Sequence, residues 1–175
     1  LEVEPSEWPE RRRAAADRNT ERIGDRVVDR RVTRQTELRV ACVGDSITQG
    51  SGAAKGKSYP AQLQTLLGDA WVVGNFGVSG RTLLKKGDFP YWKENAYQEA
   101  LAFKPDVVII MLGTNDTKPQ NWKHEAEFVA DYAELVKSFQ SLESKPKVYV
   151  CRPCPVPEPG NFGINEAGVQ EEIKR

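Results

Sequence analysis

A continuous apolar run within Asp106–Leu112 most constrains what this chain can fold into. The residues after Asp106 read Val-Val-Ile-Ile-Met-Leu, which is typical of a strand that is buried on both faces. A strand is buried in this way when helices cover both sides of its sheet. The run therefore predicts an α/β domain with a parallel sheet.

From residue 38 onward, strand patterns alternate with helix patterns. The predicted strands are Leu38–Val43, Trp71–Phe76, Asp106–Leu112 and Lys147–Cys151, and the predicted helices are Tyr59–Leu67, Tyr91–Phe103, Glu125–Leu142 and Asn165–Arg175. This alternation predicts a three-layer α/β/α sandwich with a flavodoxin-like, doubly wound parallel sheet. The expected strand order is second, first, third, fourth, with a fifth strand completing that edge in the full topology.

Three polar or glycine-rich loops follow the first three predicted strands. They are Gly44–Gly50, Gly77–Arg81 and Gly113–Asp116. Functional groups in such sheets gather outside the carboxyl ends of the strands. Ser46 lies on a tight turn in the first loop, where a serine is freed from the strand ladder and can act as a nucleophile.

Length and charge exclude several classes of function. The 175 residues are enough for one domain, and the formal net charge is zero with 29% charged residues. This balance argues against nucleic acid or an anionic membrane as the main partner. No apolar stretch is long enough to span a bilayer, and the first residues carry no signal peptide. Localisation stays open between cytoplasmic and secreted after processing.

The three cysteines, Cys42, Cys151 and Cys154, are an odd number in a chain that needs no disulfide. Cys151-Arg-Pro-Cys154 has redox spacing, but it ends a strand and leads into a proline-rich exit instead of a helix. No second cysteine pair or histidine cluster accompanies it, so we expect no metal site.

Residues 1–37 differ from the rest in composition, with interleaved arginine and acidic residues and few apolar positions. The alanines Ala14–Ala16 and the charge spacing favour helix on a solvated face. We predict a charged linker or an accessory helix, with a disordered tail as the alternative.

Three blocks of sequence resemble the SGNH (GDSL-type) hydrolases: Gly44-Asp45-Ser46-Ile47, Asn75-Phe76-Gly77-Val78-Ser79-Gly80 and Gly113-Thr114-Asn115-Asp116. Their order and spacing match the first three blocks of that family, and the resemblance covers residues 38–175. The sequence around the blocks resembles the carbohydrate esterase branch of the family, which includes acetylxylan and sialate O-acetylesterases.

The resemblance implies a role for three of these residues. Ser46 is the expected nucleophile, and its own N–H, the Gly80 N–H and the Asn115 side-chain amide form the expected oxyanion hole. No cofactor and no metal are implied. We expect Asp45 and Asp116 to brace their loops through backbone N–H groups.

The family's catalytic aspartate and histidine come from an Asp-x-x-His block after a fifth strand, which has no match here. We therefore expect the domain to be C-terminally incomplete, without its last strand and helix. The one histidine, His124, lies beyond the third block and is a candidate alternative base or pocket residue, together with Asp45 and Trp122. The edge left open on the fourth predicted strand would be covered by residues 1–37 or by a second copy of the chain.

These features predict a serine esterase that removes acetyl or other short acyl groups, with an acylated carbohydrate or another small ester as substrate. Tyr91, Trp92 and Trp122 are candidate platforms for sugar rings. The alternatives are a catalytically impaired SGNH domain that acts as a binding or structural module, and a lipid-ester acyl hydrolase. The lipid alternative ranks lower because mean hydropathy is −0.57 and no apolar lid run is present.

Overall fold

The structure of the protein is a computed structural model that describes residues 21–23, 26–28, 37–156, 161–165 and 167–169. The chain divides into two compact units, Leu1–Glu37 and Leu38–Arg175. The division falls where the composition of the sequence changes.

In the first unit, two short strands pair as an antiparallel hairpin. They are β1 (Glu21–Ile23) and β2 (Arg26–Val28), with Ile23 opposite Arg26. The predicted helix is therefore wrong for these residues. The β-branched Ile23, Val27 and Val28 favour strands, and Gly24-Asp25 is a sequence typical of two-residue hairpin turns. The rest of the predicted linker or helix lies outside the described residues.

In the second unit, four parallel strands form one sheet in the order β4-β3-β5-β6. Their bounds are β3 (Leu38–Gly44), β4 (Trp71–Gly77), β5 (Val107–Met111) and β6 (Lys147–Val150). This order confirms the doubly wound topology predicted from the sequence. Ala41 in β3 lies opposite Gly74 on one side and Val108 on the other, so β3 is a central strand.

Within the described residues, five α-helices of four or more residues connect or follow these strands. They are α1 (Ser46–Gln49), α2 (Tyr59–Leu67), α3 (Asn95–Ala102), α4 (Pro119–Trp122) and α5 (Phe128–Gln140). Crossovers between parallel strands are right-handed as a rule, and the chain reverses direction across the sheet after β4, so α2 is expected on one face and both α3 and α5 on the other. Consistent with this arrangement, side chains of α3 and α5 share one buried core. Two predicted helices are shorter than expected, since 3₁₀ turns at Tyr91–Lys93 and Glu125–Glu127 occupy their first residues.

The core on the α3 and α5 face is built mostly from side chains with no exposed surface. Leu135 and Phe139 of α5 and Ala100 of α3 are fully buried, as are Val108 and Ile110 of β5. The rings of Tyr97 and Phe139 meet edge to face, with their centroids 6.1 Å apart. Burying each large apolar side chain contributes about 1.5–3 kcal/mol to folding.

At one edge of the sheet, β6 is largely exposed. Tyr149 and Val150 keep 54% and 52% of their surface accessible. Beyond it, residues 167–169 are helical, and the Asn165 side chain accepts the N–H of Ala167 at 2.9 Å. Residues 170–175 of the predicted last helix lie outside the described part. Within the residues described, no helix has both the length and the apolarity to cross a membrane.

Candidate active site

Ser46 is the first residue of α1, on the turn that leaves β3. Glycine at position 44 permits a tight turn, because a Cβ there would overlap the Thr48 side chain and the Met111 carbonyl oxygen. Asp45 caps the helix, and its Oδ1 accepts the Ile47 N–H at 2.9 Å. The Ser46 side chain is half-buried, and within the described residues its hydroxyl forms no hydrogen bond.

The loop that follows β4 is tied to α1. The Asn75 amide donates to the Thr48 carbonyl oxygen at 2.9 Å, and its Oδ1 accepts the Gly77 N–H at 3.0 Å. Gln49 Oε1 accepts the Ser79 N–H at 2.9 Å. Gly80 then adopts φ +78°, a left-handed conformation that favours glycine, and the space around its Cα is open. The Gly80 N–H is therefore next to a region that a ligand can enter.

The loop that follows β5 brings Asn115 between the other two loops. Asn115 is 5% exposed and lies in a 3₁₀ turn, Thr114–Thr117. Its amide nitrogen donates to Asp45 Oδ2 at 3.3 Å and to the Arg81 carbonyl oxygen at 3.1 Å. Asp45 directly precedes Ser46, and Arg81 directly follows Gly80. The three residues predicted to form an oxyanion hole are thus linked through their immediate neighbours.

A second buried carboxylate, Asp116, fixes the long segment after Gly80. Its Oδ2 accepts the Leu83 N–H at 2.9 Å, and its Oδ1 accepts the Leu84 N–H at 2.7 Å. Asp45 and Asp116 therefore both accept backbone N–H groups, which is the bracing role expected from the sequence. The side chains of Asn121 and Asp131 extend this anchoring, accepting the N–H groups of Asp88 and Lys85.

Local sequence patterns do not identify Asn121 and Asp131 as anchors of this segment. Each lies more than 30 residues from the backbone group that it binds. No local pattern in the sequence relates such distant positions.

Burial sets the electrostatics of the two acidic side chains. Desolvation raises the pKa of Asp45 to about 6, against the opposing effects of the Ile47 N–H and the Lys118 ammonium group. Desolvation likewise raises the pKa of Asp116 to about 7, and the nearby Asp45 carboxylate adds to that rise. Both carboxyl groups are therefore protonated more readily than an exposed aspartate.

His124 occupies the N-cap position of the 3₁₀ turn Glu125–Glu127 and is half-buried. Its N–H donates to the Asn121 carbonyl oxygen at 3.0 Å. Within the described residues, its side chain makes no hydrogen bond to Ser46. Nearby, the Trp122 ring packs edge to face on Phe128 with centroids 5.8 Å apart. The roles predicted for His124 and Trp122 stay predictions.

Two of the aromatic residues suggested as sugar platforms are committed to packing. Tyr91 has no exposed surface, and its hydroxyl donates to the Phe76 carbonyl oxygen at 2.7 Å, so it cannot contact a sugar. Trp92 donates its indole N–H to the Leu83 carbonyl oxygen at 2.7 Å. The Lys85 ammonium group lies 4.5 Å from the centre of the Trp92 ring. The prediction is wrong for Tyr91, because its ring fills the core beneath the Gly80 loop.

Among the described residues, neither a cluster of metal ligands nor a disulfide is present. No group of three or more histidine, cysteine or acidic side chains is placed to hold a metal ion in that part of the chain. The three cysteines are free, and burial raises the pKa of the Cys42 thiol to about 11. The polar groups that do converge are a serine hydroxyl, N–H donors and two bracing carboxylates, a set suited to acyl transfer.

A parallel doubly wound sheet with a serine turn and N–H donors at its carboxyl edge defines the class of GDSL-type hydrolases. The sequence matches the GDSL-like lipase/acylhydrolase family over residues 42–174, and the chain belongs to this family.

Individual relatives agree with this assignment. An acetylxylan esterase from Xylanibacter ruminicola is 44% identical over 159 residues, which cover 80% of this chain. The match takes in 33% of that protein, so the chain spans about a third of the length of this relative.

Solved structures give the same picture. A carbohydrate acetylesterase from Sinorhizobium meliloti is 26% identical with a TM-score of 0.60, and the match covers 78% of each chain. An inhibitor-bound aryl esterase from M. smegmatis is 28% identical with a TM-score of 0.60, covering 78% of this chain and 75% of that one.

Proposed function

We propose that this domain is a serine esterase that removes acetyl and other short acyl groups from carbohydrates. The observation that carries the proposal is the Asn115 amide, which joins the neighbours of Ser46 and Gly80 into one hydrogen-bonded cluster. The substrate class is supported by the names of two relatives, an acetylxylan esterase and a carbohydrate acetylesterase.

In the proposed reaction, Ser46 Oγ attacks the ester carbonyl carbon and the carbonyl π electrons move onto the oxygen. The tetrahedral intermediate collapses, expels the sugar hydroxyl and leaves an acetyl group on Ser46. Water then attacks the acyl-enzyme, releases acetate and restores the serine. A base accepts the Ser46 proton and passes it to the departing sugar oxygen in the first half. In the second half it takes a proton from the attacking water and returns it to Ser46 Oγ.

The oxyanion would be held by three N–H donors. Within the described residues, the N–H groups of Ser46 and Gly80 have no acceptor, so both are available to a ligand. The Asn115 amide supplies the third donor. Each donor in such a hole contributes about 3 kcal/mol to transition-state stabilisation.

The experiment compares hydrolysis of p-nitrophenyl acetate by the chain with its Ser46→Ala and His124→Ala variants. Enzyme-like turnover that is lost in Ser46→Ala supports the esterase. Equal loss in His124→Ala would identify His124 as the base, whereas retained activity would assign the proton to another group. A parent chain no faster than Ser46→Ala would favour the impaired binding domain instead.

Substrate class is tested by acetate release from acetylated xylan, beside hydrolysis of p-nitrophenyl octanoate. We expect turnover of the xylan and the short ester. A preference for the octanoyl ester would favour the lipid-ester acyl hydrolase. Covalent labelling of Ser46 by an alkyl phosphonate, read by mass spectrometry, checks the nucleophile independently of turnover.

A further inference from the structure

The Asn115 side chain is held between two groups that can only accept hydrogen bonds. One amide hydrogen points to the Asp45 carboxylate and the other to the Arg81 carbonyl oxygen. If the amide were flipped, its carbonyl oxygen would face both acceptors with no donor between them. The surroundings therefore select the orientation in which the NH₂ group, and not the oxygen, faces the loop that carries Gly80.

Asp45 contributes more than one contact to this arrangement. Its Oδ1 accepts the N–H of Ile47, the residue that follows Ser46, while its Oδ2 accepts the Asn115 amide. The side chain is buried, with the residue 1% exposed, so water competes little for either oxygen. One carboxylate thus connects the nucleophile turn with the amide that the proposed mechanism uses.

Resting on the esterase function proposed above, we propose that Asp45 is a positioning residue of the oxyanion hole. Its carboxylate retains one hydrogen of the Asn115 amide and directs the other to the substrate oxyanion beside Gly80. The hydrogen given to the oxyanion is the one that the Arg81 carbonyl oxygen accepts in the free protein, on the Gly80 side of the amide.

The role requires the ionised form of Asp45, because a protonated carboxyl carries a donor and no longer excludes the flipped amide. Burial disfavours the ionised form and raises the pKa of Asp45 to about 6. Two charged groups face it: Lys118 favours ionisation, whereas Asp116 is a like charge whose own pKa is raised in part by Asp45. The contribution of Asp45 to kcat is therefore present above about pH 6 and disappears below it.

The test compares kcat of the parent and of Asp45→Ser with p-nitrophenyl acetate between about pH 5 and 8. Serine is as good an N-cap as aspartate, so Asp45→Ser keeps the cap on Ile47 but cannot reach Asn115. We expect kcat to fall about 10- to 100-fold at neutral pH with KM nearly unchanged. The ratio of parent to variant kcat should approach one below pH 6. A ratio that is constant with pH would overturn the proposal.

Asp106→Asn is the matched control. Asp106 is also a buried aspartate that accepts a backbone N–H, from Arg39 at 2.9 Å, but it precedes β5 at the opposite end of the sheet. We expect this variant to lose stability without a change in kcat. An equal loss of kcat in Asp106→Asn would mean that Asp45 acts through general stability, which would overturn the proposal.

A double-mutant cycle with Asn115→Ala tests whether Asp45 acts through the amide. In the Asn115→Ala background, Asp45→Ser should change kcat less than about twofold. The same loss in both backgrounds would overturn the proposal.

A parent chain no faster than Ser46→Ala would instead overturn the esterase function, and NMR then decides on Asp45 separately. Asn115 amide resonances that move near pH 6 in the parent but not in Asp45→Ser support the contact. Resonances that do not move overturn it.

Discussion

The central strand β3 and the edge strand β6 differ in how far they are buried and in how far neighbouring segments hydrogen-bond to the residues that follow them. From Val40 to Gly44, β3 is buried, and its exit turn is held by the Asp45 cap on the Ile47 N–H and by the Asn75 amide of β4. In contrast, Tyr149 and Val150 of β6 are half-exposed, and the residues that follow to Val156 have no regular secondary structure. The candidate site therefore depends on β4, β3 and β5, while β6 lies outside the hydrogen-bonded cluster.

The largest effect is expected from crowding the exit of β4 against α1. In Gly77→Ala, the new Cβ would lie 2.7 Å from the Thr48 carbonyl carbon and 2.9 Å from the Asp45 carbonyl oxygen, both of them backbone atoms. We expect a loss of about 3 kcal/mol in unfolding free energy and about 100-fold in kcat. Urea denaturation and esterase kinetics measure both quantities.

Gly56→Ala is the control for this substitution. Unlike Gly77, Gly56 has a positive φ, +74°, and a Cβ there meets nothing within 4 Å. Only backbone strain remains, so we expect a loss of about 1 kcal/mol and unchanged kcat. Equal effects of the two substitutions on kcat would show that the β4 exit does not position Ser46.

The second prediction compares the packed core with the β6 edge directly. Leu135→Ala removes a side chain with no exposed surface and should cost about 3 kcal/mol. Val150→Ala, at the half-exposed edge, should change stability by less than about 0.5 kcal/mol. Thermal and urea unfolding measure both, and a large loss in Val150→Ala would mean that β6 is covered by groups outside the described residues.

The third prediction concerns pH and Asp116. Its folded-state pKa of about 7 lies above the ordinary value of 3.8, so the folded protein binds more protons than the unfolded chain between these values. The unfolding free energy of the parent should therefore fall as pH rises from about 4 to 7, and Asp45 acts in the same direction up to about pH 6.

Asp116→Asn removes that titration and one of the two acceptors for the Leu83 and Leu84 N–H groups. We expect it to cost about 2 kcal/mol at low pH and less at neutral pH, where the parent bears a buried charge. Urea denaturation across this range tests it. If the unfolding free energies of the parent and Asp116→Asn changed with pH in parallel, the raised pKa of Asp116 would be contradicted.

The smallest effect on stability is expected from Val150→Lys, which charges the β6 edge. Exposed edge strands recruit other strands, and a lysine there prevents such pairing. We predict self-association of the chain through β6, lost in Val150→Lys with little change in unfolding free energy. Analytical ultracentrifugation measures it, and a parent that sediments as a monomer would contradict it.

Most of the fold could be predicted from local patterns. The run after Asp106 required burial on both faces, and alternation of strands and helices led to the strand order β4-β3-β5-β6. The strands Glu21–Ile23 and Arg26–Val28 do not follow from charge spacing, which favours helix there, whereas the β-branched residues Ile23, Val27 and Val28 favour strands. Ion pairs on an exposed helix are worth only about 0.2–0.5 kcal/mol each.

The candidate site could be predicted only in part. Residues on the turns after strands were accessible to sequence reasoning, and Ser46, Gly80 and Asn115 are examples. The contacts between loops were not, because the Asn115 amide meets Asp45 across 70 positions of sequence. The burial of Tyr91 is not predictable for the same reason, since an aromatic residue before a helix carries no local sign of whether its ring faces the core.

The link through Asn115 also has a consequence for how the protein is made. During synthesis, Ser46 and Gly80 are present long before Asn115, and β3 can pair with β5 only after a long loop has closed. The three donors can come together only when that late, non-local pairing is complete. In a refolding or translation experiment, the time at which hydrolytic activity appears would thus report the docking of β5 and not the earlier collapse of the chain.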